Sequence, residues 1–597
     1  MFKSGLRIRH SLPLCGSMFL IQCGSGEFQP ITTPPPPPPP AAQVILDLNG
    51  LSTGAGLIRV SGSESTGRFG VPVAGGFDCD NDGFLDFARS DMLASPFSRV
   101  NAGQVRLIFG DGQINRDIDT AIPNPAILTI AGSAPNEVTG SEIWMDDVTG
   151  DGLCDLLIAR QNFKEPASGR IGAGALTILV GNSILRDLAT NGVVVDLAAP
   201  PPNVTLFTLV GAAELDRLGM WVRTGDVTGD GVADILVGAD QEDIATESNR
   251  GAAYLIRGGV HLNANLTVDL AGFGATTLAG HIAKITPPPG SANYHFGATT
   301  ALADLDNNGR SEVLIAAALS RIGGSLLADG APNNSATRHG GNPGGSLFII
   351  WDDNFPLGTS WAGGFSFSVD SAPGSTTRID GGSVSNLFTN ERFGEEILGG
   401  LDYDADGTAD LFVGDITGVS RSSRVRAGVG HVFFSASLLR NQNFSMTTGP
   451  AGVRTTTILG PAGSISSDTS LHGDIDGDGV ADLVIASPLE NPLGRVQAGI
   501  VHILWGQPGP WPDVIDLQTN LQPDPSVFAI TDIFGANGEQ SIDDTGDTLM
   551  YSAAAADMDR DGKIDLIINE MRGNGASPAA LDVGNLLIIS GEIVPRL

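Results

Sequence analysis

The chain has 597 residues, with 67 Asp or Glu against 33 Lys or Arg and a formal charge of −34. A surface this acidic repels a phosphate backbone, which excludes nucleic acid as a partner. Four cysteines are too few for a disulfide framework, and no segment reaches the eighteen or so apolar residues that a membrane helix needs.

Residues 1–23 start with Lys3, Arg7 and Arg9, run through an apolar stretch at 12–21 and end on Cys23. This is the layout of an export signal. Leu20, Ile21, Gln22 and Cys23 resemble a bacterial lipobox, which implies a lipid anchor at Cys23; Gln22 departs from the small residue expected there, and plain cleavage is the alternative. Residues 24–43 read as a linker, because the unbroken prolines 34–40 form a stiff polyproline II spacer of about 3 Å per residue.

From 44 to 597 one nine-residue pattern recurs seven times, with oxygen-bearing side chains at positions one, three, five and nine and glycine at six. The sets are Asp78, Asp80, Asp82, Asp86; Asp147, Thr149, Asp151, Asp155; Asp226, Thr228, Asp230, Asp234; and Asp304, Asp306, Asn308, Glu312. They continue as Asp402, Asp404, Asp406, Asp410; Asp474, Asp476, Asp478, Asp482; and Asp557, Asp559, Asp561, Asp565. Two carboxylates about 4 Å apart repel by roughly 4 kcal/mol at an effective dielectric near 20, so such clusters call for a cation. Calcium accepts six to eight oxygens in flexible geometry and fits this spacing, so up to seven structural Ca2+ ions are expected. The closing acid stands at nine rather than twelve and precedes an apolar run such as 483–486, which places the loop between two strands and not between two helices.

The motifs lie 69, 79, 78, 98, 72 and 83 residues apart, and short Val, Ile and Leu segments surround each one. Each repeat reads as four strands, the first two flanking the loop, the third as in 175–181 and the fourth as in 206–211. Seven such repeats predict an all-β, seven-bladed propeller of four-stranded blades. The last repeat stops after its third strand at 585–591, so the N-terminal segments 44–50 and 57–62 should close the ring by completing the last blade. Cys79 and Cys154 occupy motif positions two and eight and are expected to be two buried thiols, a bridge being the alternative.

Arg68, Phe69 and Gly70, His295, Phe296 and Gly297, and Arg392, Phe393 and Gly394 provide a phenylalanine-glycine element, and 235–239 supplies a Gly-Ala ending. With these the chain resembles the FG-GAP repeats of integrin alpha-subunit propellers and their bacterial relatives. The second, sixth and seventh repeats lack a clear Phe-Gly, and the third has Leu218 and Gly219 instead. The resemblance implies calcium loops on one face and partner binding on the opposite face.

The expected second-to-third-strand loops, 89–103, 160–174, 239–251, 319–345, 415–429, 487–498 and 569–584, hold 13 Lys or Arg against 11 Asp or Glu. They gather Arg99, Arg160, Arg170, Arg321, Arg421, Arg424, Arg426 and Arg495 on one rim, which suits an anionic protein or glycan. The 319–345 loop, with His339, is the longest insertion. No catalytic motif stands out. The expectation is therefore an exported, surface-attached or periplasmic, monomeric binding or adhesion module that is not an enzyme. The rivals are a calcium-dependent polysaccharide lyase or hydrolase working in the propeller funnel, and a structural envelope protein without a discrete ligand.

Overall fold

The computed structural model describes residues 44–596 except 53, 55, 63–68, 115, 291–292, 319–343, 356–360, 362–363, 383–391, 417–423, 425, 540–545 and 575–582. The leader, the linker, Arg68, Arg321, Arg421 and His339 lie outside the described residues. Among those described, no helix is long and apolar enough to cross a membrane.

Among the described residues seven sheets form a seven-bladed all-β propeller. The inner strands of blades 1 to 7 are Phe69–Phe77, Thr139–Asp146, Val222–Gly225, Thr299–Ala303, Phe393–Leu401, Ser470–Gly473 and Leu549–Ala556. Each touches the next, and blade 7 touches blade 1, so the ring is closed. The second strands are Asp86–Asp91, Asp155–Arg160, Asp234–Ala239, Glu312–Ala316, Asp410–Asp415, Asp482–Ser487 and Asp565–Glu570. All seven begin on motif position nine. They are buried from end to end, because both faces of a blade lie against a neighbour, and for that reason they read as continuous apolar runs without alternation.

The core accordingly lies between blades. Seven apolar clusters fill the seven interfaces; one packs Leu176 and Phe207 of blade 2 on Ile235 and Tyr254 of blade 3, and another packs Val484 and Ile503 of blade 6 on Leu566 and Leu587 of blade 7.

Blades have five strands, which corrects the expected four. The fifth is short, runs parallel to the fourth, and is donated by the connection between the third and fourth strands of the following repeat. Thus Val195–Asp196, from repeat two, pairs with Ile127–Ala131 of blade 1, and Val514–Asp516, from repeat six, pairs with Thr455–Leu459 of blade 5. At the ring's seam Leu57–Ser61 pairs antiparallel with Asn585–Ile589 as the fourth strand of blade 7, as expected, whereas Val44–Asp47 adds in parallel to Ile530–Phe534 of blade 6, which corrects its expected place in the last blade.

The fifth strands explain the arginines. Arg99 donates to Asp196 at 2.6 and 2.7 Å and to the Gly132 carbonyl, and Arg424 donates to Asp516 and the Gly460 carbonyl in the same way. Arg170 reaches Asp269 and the Gly211 carbonyl, and Arg495 reaches Asp47 and the Ala536 carbonyl. In each case a guanidinium clamps the end of the fourth strand to an aspartate that ends the fifth. Arg160 is buried against Glu137. These five side chains are committed within their own sheets, so this part of the expected arginine rim is corrected to a set of internal clamps, while Arg426 is exposed.

Cys79 and Cys154 are joined in a disulfide with their Cα atoms 4.4 Å apart, which corrects the two-thiol expectation and ties the motif loop of blade 1 to that of blade 2. Neighbouring loops are also linked through the backbone. The position-eight N–H donates to the position-one carbonyl of the preceding repeat at Cys154 to Asp78, Ser311 to Asp226, Ala481 to Asp402 and Ile564 to Asp474.

Arg424→Ala removes a bidentate, charge-assisted pair whose side chains are only 12% and 18% exposed, and should cost about 1–3 kcal/mol. Thermal melts of the variant are expected to show the loss; an unchanged midpoint would mean that the clamp holds nothing.

Candidate metal centres

Each motif forms the turn between the inner and second strands, so all seven lie at the same end of their blades. The local fold follows from the side chains themselves. The position-one aspartate accepts the position-six N–H at 2.7 to 3.0 Å in every repeat. Position six therefore turns left-handed, and its glycines have φ between 82° and 89° in all seven. Position four is left-handed too, at Asn81, Gly150, Gly229, Asn307, Ala405, Gly477 and Arg560.

Position nine does more than close the loop. One of its oxygens accepts the position-two N–H at 2.7 to 3.0 Å in all seven repeats. In six repeats the other accepts an N–H just past the third strand, at Gly110, Gly181, Gly258, Ser435, Gly506 and Gly591. All seven position-nine side chains are fully buried. Burial pushes Asp86 and Glu312 up to about 8, Asp155, Asp410, Asp482 and Asp565 up to about 7, and Asp234 up to about 6.

Five loops bring three carboxylates within 4.8 Å of one another, at Asp78, Asp80, Asp82; Asp304, Asp306, Glu312; Asp402, Asp404, Asp410; Asp474, Asp476, Asp478; and Asp557, Asp559, Asp565. The loops of blades 2 and 3 carry Thr149 and Thr228 at position three and form no such group among the described residues.

Several loop oxygens are left without a hydrogen-bond partner. Asp306 Oδ1, Glu312 Oε1, Asp404 Oδ1 and Thr228 Oγ1 are buried with no hydrogen bond. A buried polar atom costs about 1–3 kcal/mol when unsatisfied, so a cation that used these atoms would remove a penalty at each. The donors are all hard oxygens, as a hard divalent cation requires, and the residues fit such an ion.

Beside several loops stands an arginine that the sequence patterns did not single out. Arg186 donates to Asp80, Arg257 to Asp230, Arg440 to Asp306, Arg454 to Asp404, and Arg596 to Asp476 and Asp478. Each engages Oδ2. At Asp306 and Asp404 this leaves Oδ1 as the orphan. Arg186, Arg440, Arg454 and Arg596 lie over Phe109, Trp351, Phe434 and Trp505, the aromatic residues that end the third strands. A sequence signal existed in that aromatic, since the arginine needs a flat surface at a fixed place.

The phenylalanine-glycine positions lie at the other end of the inner strands. Phe296 and Phe393 are buried, and Gly297 and Gly394 have φ of 89° and 91°. Repeats without the dipeptide keep the conformation, with φ of 83° at Gly140, 66° at Ser467 and 58° at Met550.

The FG-GAP repeat model matches residues 218–256 and 469–504, the inner to third strands of blades 3 and 6. Two of the seven blades thus carry FG-GAP repeats. Among solved structures, this propeller is similar to a rhamnogalacturonan lyase, YesW, with 11% identity over 90% of this chain and 77% of that chain and a TM-score of 0.25. No curated protein matches the sequence.

A Ser487, His502 and Asp532 chain also exists, with His502 bonded to Ser487 at 3.0 Å and to Asp532 at 2.7 Å. All three side chains are fully buried and Ser487 is further bonded to Ser466, so this chain of hydrogen bonds serves packing within blade 6.

A Cβ at Gly479 would meet nothing within 4 Å, so Gly479→Ala isolates the backbone effect at φ of 89°. The variant is expected to lose about 1–2 kcal/mol in a denaturant titration. Asp478→Ala should have a modest effect on the whole, because six other loops remain.

Proposed function

We propose that this protein is an exported, calcium-loaded, non-enzymatic binding module that holds a protein or glycan partner on the face opposite the ion loops. The observation that carries the reading is a set of exposed apolar tips on that face. Phe97 and Val100 in blade 1, Ile171 in blade 2, and Leu493 and Val496 in blade 6 all stand in second-to-third-strand loops, 41% to 75% exposed. Phe97 and Leu493 are equivalent residues, each following a proline, with left-handed φ of 52° and 51°. A bulky side chain pays for that conformation, and strain of this kind gathers where contact is made.

In this reading Ca2+ occupies up to seven loops and keeps the display surface rigid. At free calcium tenfold above a millimolar dissociation constant, each ion contributes about 1.4 kcal/mol, and seven sum to about 10. That equals the net stability of a whole domain. Chelation is therefore expected to lower the melting temperature by a wide margin, and an identical melt with and without chelator refutes the structural role.

Partner capture is tested on protein and glycan arrays in millimolar calcium. Phe97→Ala combined with Leu493→Ala should abolish the array signal while the melting temperature and the calcium content stay unchanged. A signal that survives the double change moves the binding surface elsewhere.

A further inference from the structure

The propeller axis contains a cavity of about 470 Å³. It reaches residues of six blades, and its walls are largely apolar, including Val71, Val73, Leu398 and Ala553. Four acidic residues from three blades line this space: Glu142, Glu395, Glu396 and Asp468. Two have cationic partners. Arg223 donates to Glu142 at 2.7 Å while lying over Trp144 and Trp221, and Arg392 lies 3.4 Å from Glu395.

Glu396 and Asp468 have no such partner among the described residues. Glu396 is only 8% exposed. Two further atoms are left without a hydrogen bond: Ser470 Oγ, on a side chain that is 7% exposed, and Glu395 Oε2. The wall therefore offers two uncompensated carboxylates, an orphaned hydroxyl, an orphaned carboxylate oxygen and the partly exposed ring of Tyr551.

We infer that the axial cavity is a binding site for a small organic cation, an alkyl diammonium whose two charged ends meet Glu396 and Asp468 and whose carbon chain lies on the apolar wall. Glu395 Oε2 and Ser470 Oγ accept from the remaining ammonium N–H groups. A single metal ion fits less well, since these carboxylates do not form one of the tight oxygen groups found in the five loops. An anion is repelled, and a neutral sugar leaves the charges unbalanced.

Charge regulation gives an independent signature. Burial, with Asp468 and Glu142 adding to it and Arg223 opposing, pushes Glu396 up to about 8. Burial, with Glu395 adding and Arg392 opposing, pushes Asp468 up to about 7. His472, whose Nδ1 is bonded to Tyr403, and Arg223 and Arg392 complete the charged and titratable groups around them. A diammonium favours the ionised carboxylates, so binding expels protons near neutrality and strengthens as pH rises from 6 to 9.

The test is calorimetry of the full chain with 1,4-diaminobutane in millimolar calcium, run in two buffers of different ionisation heat. The expected result is saturable one-to-one binding with proton release, at least tenfold tighter at pH 8.5 than at pH 6. Glu396→Gln combined with Asp468→Asn should weaken binding at least tenfold and leave the melting temperature and calcium content as they were. Absence of saturable binding, absence of proton release by the unaltered protein, tighter binding of a neutral disaccharide of similar size, or an unchanged affinity in the double variant each overturns the assignment. These readings do not depend on the array result, so the two proposals fail separately.

Discussion

At the root of every blade a carboxylate without exposed surface is held by backbone N–H groups. A buried charge is tolerated only when its oxygens are satisfied, and in six blades the donors come from the motif loop on one side and the end of the third strand on the other, whereas Glu312 has only the first. The same side chain thus sets the shape of the turn and its distance from the rest of the sheet. The oxygens of positions one, three and five are presented by a frame that position nine has already fixed, which is why seven loops of different composition share one set of torsions.

That economy explains what could be read from the sequence. The loops and the strands beside them are local, so Asp474 to Asp482 and the run at 483–486 announce their own structure. The second strands, buried on both faces, read as unbroken apolar segments, and the spacing of the motifs counts the blades. What escaped reading is what depends on distant partners. Val195–Asp196 is too short and too polar to register as a strand, and it belongs to a blade whose own repeat ended earlier. Arg99 and Asp196, or Arg424 and Asp516, lie nearly a hundred positions apart, and nothing in either neighbourhood names the other. Cys79 and Cys154 fall in different motif positions, and only the packing of adjacent blades brings them within bonding distance. Met550 and Ser467 take over a glycine's conformation without a glycine's signature, because the strand beside them enforces it.

The two ends of the blades are built on different principles. One end is acidic, with charges gathered on the motif loops and several of them countered by arginines resting on aromatic rings. The other combines arginine clamps, whose charges are spent internally, with apolar tips left bare. Between them lies an axial cavity whose carboxylates outnumber its guanidinium groups, so a single ring offers three chemically distinct surfaces.

The seam of the ring bears on how the molecule is made. Strands 44–47 and 57–61 find their partners more than 450 positions later, so the earliest part of the propeller to leave the ribosome is the part employed last. Five blades can assemble as they emerge, while the leading segment stays extended and exposed until the trailing one arrives. A polypeptide built this way has a window, lengthening with transit time, in which an unpaired edge must be shielded. Its yield in the cell is then governed as much by the speed of synthesis and the availability of a holdase as by the stability of the finished disc.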